Sequence, residues 1–388
     1  MIELALVGCP SSGKSTFFKA STLKDAKIAS YPFTTLAPDE GLAYASAKCP
    51  CIELNLNCKK CINGIRFVPI KLWDIAGLVP DAHLGRGRGI AFLDDVRQAN
   101  ALIQIIDISG TTDLEGNPTN DFDPSLSIEM LEKEITYWML DIFKRDFTRA
   151  QHIIAKDFLL LLENRFTGLG IGKNHINKSI SSAGLDIEKF KSWTEDQCYA
   201  FVNELRKISK PSIVIANKID ISSKNIENIK SKYPDKIIIP ASADIELALR
   251  EAAKHEIIEY VPGSSDFRLL KTGIDEKRMK AIDYMKSFLK KHKSTGIQEA
   301  INSTAFDILG LIVVYPVADP NKFADNKGNI LPDAFLLKKG STAHDLAYAV
   351  HEDIGKKFIA AADARTKRNI SADYVLKNGD VISIKSGK

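Results

Sequence analysis

The chain has 388 residues, 45% of them hydrophobic and 26% charged, which is the balance of an ordinary folded protein with room for two or three domains. A net charge of +4 is mild at this size and permits an RNA-rich partner without arguing for one. No stretch reaches the roughly 18 consecutive apolar residues of a membrane helix, and Met1 runs straight into a strand pattern with no basic segment before it, so neither a span nor a signal peptide is predicted.

Ile2–Val7 is an apolar run that reads as a strand. It ends at Gly8-Cys9-Pro10-Ser11-Ser12-Gly13-Lys14-Ser15, which fits G-x-x-x-x-G-K-[ST], and Thr16-Phe17-Phe18 opens a helical pattern behind it. Strand, glycine loop and helix in that order make a phosphate cradle. The glycines let the backbone aim N–H groups inward, and the helix N-terminus favours an anion. Lys14 is expected on the β- and γ-phosphates and the Ser15 hydroxyl on Mg²⁺. Amide N–H groups around Cys9 are expected to lower its pKa.

Residues 25 to 66 read as one long loop holding Tyr31-Pro32-Phe33-Thr34-Thr35 and then Cys49, Cys51, Cys58 and Cys61. C-x-C followed by C-x₂-C is a ligand spacing for one tetrahedral Zn²⁺; the alternative is a set of free thiols.

Four more apolar runs each end in a polar motif. Val68–Trp73 ends at Asp74-Ile75-Ala76-Gly77, and Ala101–Ile106 at Asp107. Ser212–Ala216 ends at Asn217-Lys218-Ile219-Asp220, and Ile237–Ile239 at Ala241-Ser242-Ala243. Open α/β sheets bind ligands beyond the carboxyl ends of their strands, so these motifs predict one site on a mostly parallel sheet. Asp74 suits a water-mediated approach to Mg²⁺, with the Gly77 N–H on the γ-phosphate; loss of that phosphate would release the segment that follows. The Asp220 carboxylate can accept from the N1–H and N2 amine of guanine, a donor pair that adenine lacks. Asn217 would brace that loop, the Lys218 stem would cover the base, and Ser242-Ala243 would offer an N–H to the guanine O6.

Residues 112 to 207 read as a helical insertion. Ile128, Leu131, Ile135, Trp138 and Ile142 follow helical spacing, Asp157 to Phe166 continues it, and Ser192-Trp193-Thr194-Glu195 reads as a capping box for a helix reaching Lys207. After Ser242 a helix is expected through about Glu259, and Lys277 to Lys293 is a basic amphipathic helix whose lysines read as a solvated face. From Asp307 the order is ββαββ: Leu311–Val317, Ala334–Lys338, a helix from Ser341-Thr342 through Leu346, Val350 and Ile354, then Phe358–Ala362 and Val381–Ile384.

Together these motifs resemble the Obg superfamily of P-loop GTPases, and nearly the whole chain is similar to its archaeal-type YchF-like subfamily. Tyr31 to Thr35 and Asp74-Ile-Ala-Gly-Leu78 are close to the two switch signatures, and Gly85-Arg-Gly-Arg-Gly89 with Phe92-Leu93 continues the second. The stretches Leu331-Pro332, Phe335 to Thr342, Asp345 to Ala347 and Ala364 to Arg368 resemble a TGS domain, a ubiquitin-like β-grasp module. The resemblance implies an α/β P-loop G domain (1–111 and 208–306) with an inserted helical domain (112–207) and a C-terminal α+β TGS domain (307–388). It implies a cytoplasmic enzyme that hydrolyses GTP with Mg²⁺, with Thr35 as a further Mg²⁺ ligand and Lys14, Thr35 and Gly77 acting on the γ-phosphate. It also implies a ribosome or RNA partner, and neither DNA nor a membrane. Many YchF proteins carry a degraded base motif and prefer ATP; here Asn217 to Asp220 is intact, which favours GTP over the alternatives, an ATPase or a binding module whose hydrolysis is incidental. Leu78 stands where Ras-like proteins place a water-orienting glutamine, implying slow hydrolysis, with His83, Arg86 and Arg88 as candidate helpers. Ser11 stands where potassium-activated relatives carry asparagine, which argues against that activation.

Overall fold

The computed structural model describes residues 1–22, 40–85 and 95–387. Tyr31 to Thr35, Arg86, Arg88, Gly89, Phe92 and Leu93 lie outside the described residues.

The five expected apolar runs all form strands: β1 (Glu3–Val7), β3 (Ile65–Asp74), β4 (Ala101–Asp107), β5 (Ser212–Asn217) and β6 (Ile238–Pro240). A further strand, β2 (Glu40–Lys48), joins them in a six-stranded sheet of order β2-β3-β1-β4-β5-β6. Every pairing is parallel except β2 with β3. All seven residues of β4 are buried, as expected of a strand covered on both faces.

β2 corrects the expectation of one loop over 25 to 66. It pairs with β3 from Glu40↔Trp73 to Lys48↔Ile65. Its buried positions are Gly41, Ala43 and Ala45, which carry little apolar signal in sequence. Small size is what the position needs: a Cβ on Gly41 would lie 2.5 Å from Thr22 Cγ2 of the helix Lys14–Thr22. The outer edge of β2 is met by the helix Ile297–Ser303, where Gln298 Nε2 donates to Tyr44 O at 2.8 Å and Ser46 N donates to Asn302 Oδ1 at 2.8 Å. Residues 49 to 64 connect β2 to β3 and hold one short helix, Pro50–Glu53.

The insertion contains the helices Ser125–Phe147, Ala155–Phe166, Lys173–Ser182 and Glu195–Ser209. Aromatic rings fill its centre, with Phe158 stacked on Phe190 at 4.2 Å between centroids and Phe143 beside Phe201 at 5.4 Å. The capping box of the last helix sits two residues later than expected. Gln197 N donates to Thr194 Oγ1 at 3.2 Å and Thr194 N to Gln197 Oε1 at 2.9 Å, while Ser192 Oγ closes the preceding turn on Lys189 O.

The helix Ala243–Lys254 also ends before Glu259. Glu256 adopts φ 54°, a left-handed step that a helix cannot continue through, and Ile258–Glu259 (β7) pairs antiparallel with Arg268–Leu269 (β8). The basic helix Glu276–His292 buries Ile282, Met285, Phe288 and Leu289 and leaves its lysines outward.

The C-terminal sheet has the order β10-β9-β13-β11-β12, from β9 (Leu311–Val317), β10 (Phe335–Lys338), β11 (Phe358–Asp363), β12 (Asn369–Ile370) and β13 (Val381–Ser386). Thr342 and Asp345 cap the helix Ala343–Val350 reciprocally. The helix expected to run to Ile354 breaks at His351, whose extended backbone (φ −164°) caps a separate turn, Glu352–Lys356. Among the described residues no helix is long and apolar enough to cross a membrane.

Candidate functional site

The loop after β1 turns by two left-handed steps, Ser11 at φ 58° and Gly13 at φ 96°. A Cβ on Gly8 would lie 2.4 Å from Ile105 O, and one on Gly13 2.2 Å from Asn217 Nδ2, so both glycines are required by close approach as well. Lys14 begins the helix and folds back over the loop, its Nζ donating to Cys9 O at 2.8 Å. Burial pushes the Lys14 pKa down, and the negative charge of Asp74 opposes this. Ser15 is exposed and Thr16 half-buried beside it. Cys9 is buried, and its thiol is pushed up, contrary to expectation. Desolvation outweighs the Ser127 hydrogen bond and the Lys14 charge, both of which lower it.

One side chain ties three loops together. Asn217 Nδ2 donates to Ser12 O at 3.0 Å, and Asn217 Oδ1 accepts from Ala243 N at 3.0 Å. The loops after β1, β5 and β6 are thereby held in register. Ser242 Oγ caps the next helix on Ile245 N at 3.3 Å, and the Ser242 N–H donates to Thr295 O at 2.9 Å. Lys218, at φ 69°, sends Nζ to Asp107 Oδ2 at 2.8 Å. Asp107 also accepts from Ser109, Thr111 and Thr112. Burial pushes its carboxyl up, but Lys218 and the three hydroxyls together hold it below the usual range. Asp220 Oδ1 and Ser12 Oγ, in contrast, are buried with no hydrogen-bond partner. Next to them the Asp244 carboxyl is pushed up, by burial first and then by the charge of Asp220.

On the far side of the loop, β3 ends at Asp74 and the chain crosses back over the glycines. Leu78 N donates to Gly8 O at 3.1 Å, and a Cβ on Gly77 would lie 3.0 Å from Pro10 N. Leu78 itself is buried. Gly116, from the insertion, covers the same loop, and a Cβ there would meet Pro10 Cβ at 2.8 Å. The helix Ser125–Phe147 then grips the segment after Leu78 through Glu134, which accepts from Asp81 N at 2.9 Å, His83 N at 3.0 Å and His83 Nδ1 at 2.6 Å. The His83 ring stacks on Tyr137 at 4.9 Å.

The structure therefore gathers Gly8 to Lys14, Gly77, Asn217 and Ala243 at one end of the sheet, with Lys218 and Asp220 directly after the Asn217 anchor. Thr35 lies outside the described residues. Cys49, Cys51, Cys58 and Cys61 form a cluster of their own at the opposite end of β3, their sulfurs all within 4.8 Å of one another. Two residues were not singled out for roles from sequence. Asp107 was visible only as a strand-end carboxylate. Glu134 had a readable signal, because it interrupts the apolar stripe of Ile128, Leu131 and Ile135 and is buried among them.

Residues 3–140 match the family described as 50S ribosome-binding GTPase. Residues 215–319 match the Obg-like GTPase YGR210-like, G4 motif-containing domain, and residues 327–386 match the TGS domain. An uncharacterized GTP-binding protein of Methanocaldococcus jannaschii is 48% identical, the alignment covering 100% of this chain and 99% of that protein. The ribosome-binding ATPase YchF of Buchnera aphidicola is 25% identical over 98% of each. The crystal structure of a GTP binding protein from Pyrococcus horikoshii OT3 superposes with a TM-score of 0.76 at 36% identity, covering 100% of both chains.

Proposed function

Because this chain belongs to the YchF-like group of Obg-type GTP-binding proteins, we propose that it binds GTP with Mg²⁺, hydrolyses it slowly to GDP and phosphate, and acts as a cytoplasmic switch on the ribosome. The observation that carries the guanine assignment is Asp220 Oδ1, a buried carboxylate oxygen without a donor, next to the bonded Asn217. An unpaired buried acceptor is costly, and the guanine edge brings two N–H donors to it where adenine brings none. Asn217 and Gly8 to Lys14 supply a loop already braced to receive phosphates. Lys14 would exchange Cys9 O for the β- and γ-phosphates, and the Gly77 N–H would meet the γ-phosphate.

The donor set suits Mg²⁺, since the Ser15 hydroxyl and the Asp74 carboxylate are hard oxygens. Thr35 joins them by resemblance. When bound, the ion neutralises charge on the β- and γ-oxygens. Slow turnover is supported by Leu78, which has no group to orient water, and by His83, which is engaged with Glu134. The division into a G domain (1–111 and 208–306), a helical domain (112–207) and a TGS domain (307–388) is part of this reading. The ribosome enters this reading from relatives such as the ribosome-binding ATPase YchF of Buchnera aphidicola.

The deciding experiment measures binding and turnover of GTP beside ATP, with and without ribosomes. The expected result is preference for GTP and turnover that ribosomes increase. Preference for ATP would overturn the role of Asp220. Turnover that stays negligible with ribosomes present would make hydrolysis incidental to binding.

A further inference from the structure

The segment between β2 and β3 holds little regular secondary structure, and its turns are closed by a few backbone hydrogen bonds such as Cys49 N to Gly64 O and Leu56 N to Cys51 O, both 2.8 Å. Residues 49 to 64 contain a single four-residue helix, and Asn55, Lys59 and Asn63 all take left-handed backbone (φ 51°, 52° and 49°). Such a segment is too small to bury a core and needs a staple. Its four cysteines are all free thiols, and three of them are buried.

The sulfurs are arranged as a metal would arrange them. Cys49 and Cys58 are 3.8 Å apart, Cys51 and Cys61 3.5 Å, and Cys58 and Cys61 3.5 Å. A Zn–S bond of about 2.3 Å puts tetrahedral sulfurs about 3.8 Å from one another. A disulfide would need about 2.05 Å. Lys60 N donates to Cys58 Sγ at 3.4 Å, the kind of amide contact that favours a thiolate.

A zinc tetrathiolate carries two negative charges, and a buried net charge needs a counter-charge. Arg66 supplies one. It is fully buried, its charge acts on Cys58, and its Nε has no hydrogen-bond partner. The guanidinium lies 5.6 Å from the centre of the Tyr315 ring, and its Nη2 donates to Leu331 O.

We propose that Cys49, Cys51, Cys58 and Cys61 bind one structural Zn²⁺, with Arg66 as its buried counter-charge, and that this metal seats the C-terminal sheet on the β2–β3 ribbon. Binding exchanges the four thiol protons for the metal, with no change of oxidation state. Four protein sulfurs leave no open position, so the ion is structural. The seating follows from what the cysteines touch. Cys49, Cys51 and Cys58 share one apolar cluster with Val313, Tyr315 and Val381 of the C-terminal sheet. Two polar contacts flank it: Tyr315 Oη donates to Lys48 O at 3.4 Å, and Arg365 Nη2 donates to Glu53 Oε2 at 3.2 Å.

The test uses the full chain purified without chelator. Elemental analysis is expected to give about one zinc per chain. Less than about a tenth of an equivalent, or iron in its place, would overturn the site. The double variant Cys58→Ser, Cys61→Ser is expected to lose the zinc, whereas Cys198→Ser keeps it; equal zinc in all three would also overturn it. Should the double variant fail to fold, cobalt added to metal-stripped wild type decides. Visible absorption of a tetrahedral cobalt thiolate supports the site, and its absence removes it. Hydrogen exchange on stripped protein then reads the seating. Faster exchange of β9 and β13 amides supports it, and unchanged exchange there refutes it. GTP affinity, measured on the same sample, separates this result from the nucleotide reading.

Discussion

β3 joins two regions that are held in place differently. At its Asp74 end, side chains bond one another: Asn217 reaches Ser12 and Ala243, Lys218 reaches Asp107, and Glu134 reaches His83. At its Ile65 end, four sulfurs face one another and the buried Arg66 keeps an unpaired nitrogen. The first region is organised by its own polar network, so a nucleotide would find it already shaped and lose little freedom in ordering it. The second is flanked by fewer polar contacts, Tyr315 with Lys48 and Arg365 with Glu53, and the metal proposed for it would tie its four sulfurs together. Ten residues of strand, about 30 Å at the usual rise per residue, separate the two. They should therefore respond to different perturbations.

The largest effect is expected from Asp220→Asn. An amide presents one donor and one acceptor where guanine needs two acceptors, so GTP affinity should fall on the order of 10⁴-fold. Xanthosine triphosphate, whose 2-carbonyl can accept from the new amide, should gain. Competition against a fluorescent nucleotide checks both, and a small loss with no gain would remove the assignment. Lys14→Ala should cost about 3 kcal/mol of GTP binding, roughly 100-fold, because charge-assisted bonds to phosphate are lost. Binding equal to wild type in a titration would mean that the loop after β1 is not the phosphate site. Asn217→Ala leaves Ser12 O and Ala243 N unpaired and should cost about 2 kcal/mol of stability in urea denaturation without nucleotide. Unchanged stability would show that the polar network does not hold the three loops. The smallest effect is expected from stripping the metal. GTP affinity should stay within about twofold, since sites this far apart without shared partners act independently. A larger loss would show that the two ends of β3 are energetically coupled.

The phosphate and base motifs were readable because their chemistry forces residue type and spacing together. A glycine at position 13 is dictated by the Asn217 amide 2.2 Å from where a Cβ would sit, and the sequence records that demand directly. β2 was not readable for the opposite reason. Its buried face needs the absence of side chains, and Gly41, Ala43 and Ala45 leave no periodic apolar trace. The end of the helix Ala243–Lys254 was hidden likewise, since its stop is a left-handed Glu256 rather than a glycine or proline. Cys9 shows how local reasoning about charge fails. The nearby amides were visible in the sequence, but the burial that outweighs them comes from distant packing. Glu134 lies between these cases, with its anomaly printed in the apolar stripe and its partners, Asp81 and His83, set by tertiary structure alone.

The helix Ile297–Ser303 has a consequence for how the molecule behaves among its neighbours. Among the described residues β2 is the outermost strand of the large sheet, and an outermost strand offers a row of amides and carbonyls on which another chain can template itself. Gln298 and Asn302, one helical turn apart, occupy Tyr44 O and Ser46 N along that row. A foreign strand seeking those groups meets two carboxamides already bonded there. Two polar side chains thus protect the protein from strand-by-strand aggregation on that flank, without a charge or a proline in the strand interior between Gly41 and Ala47.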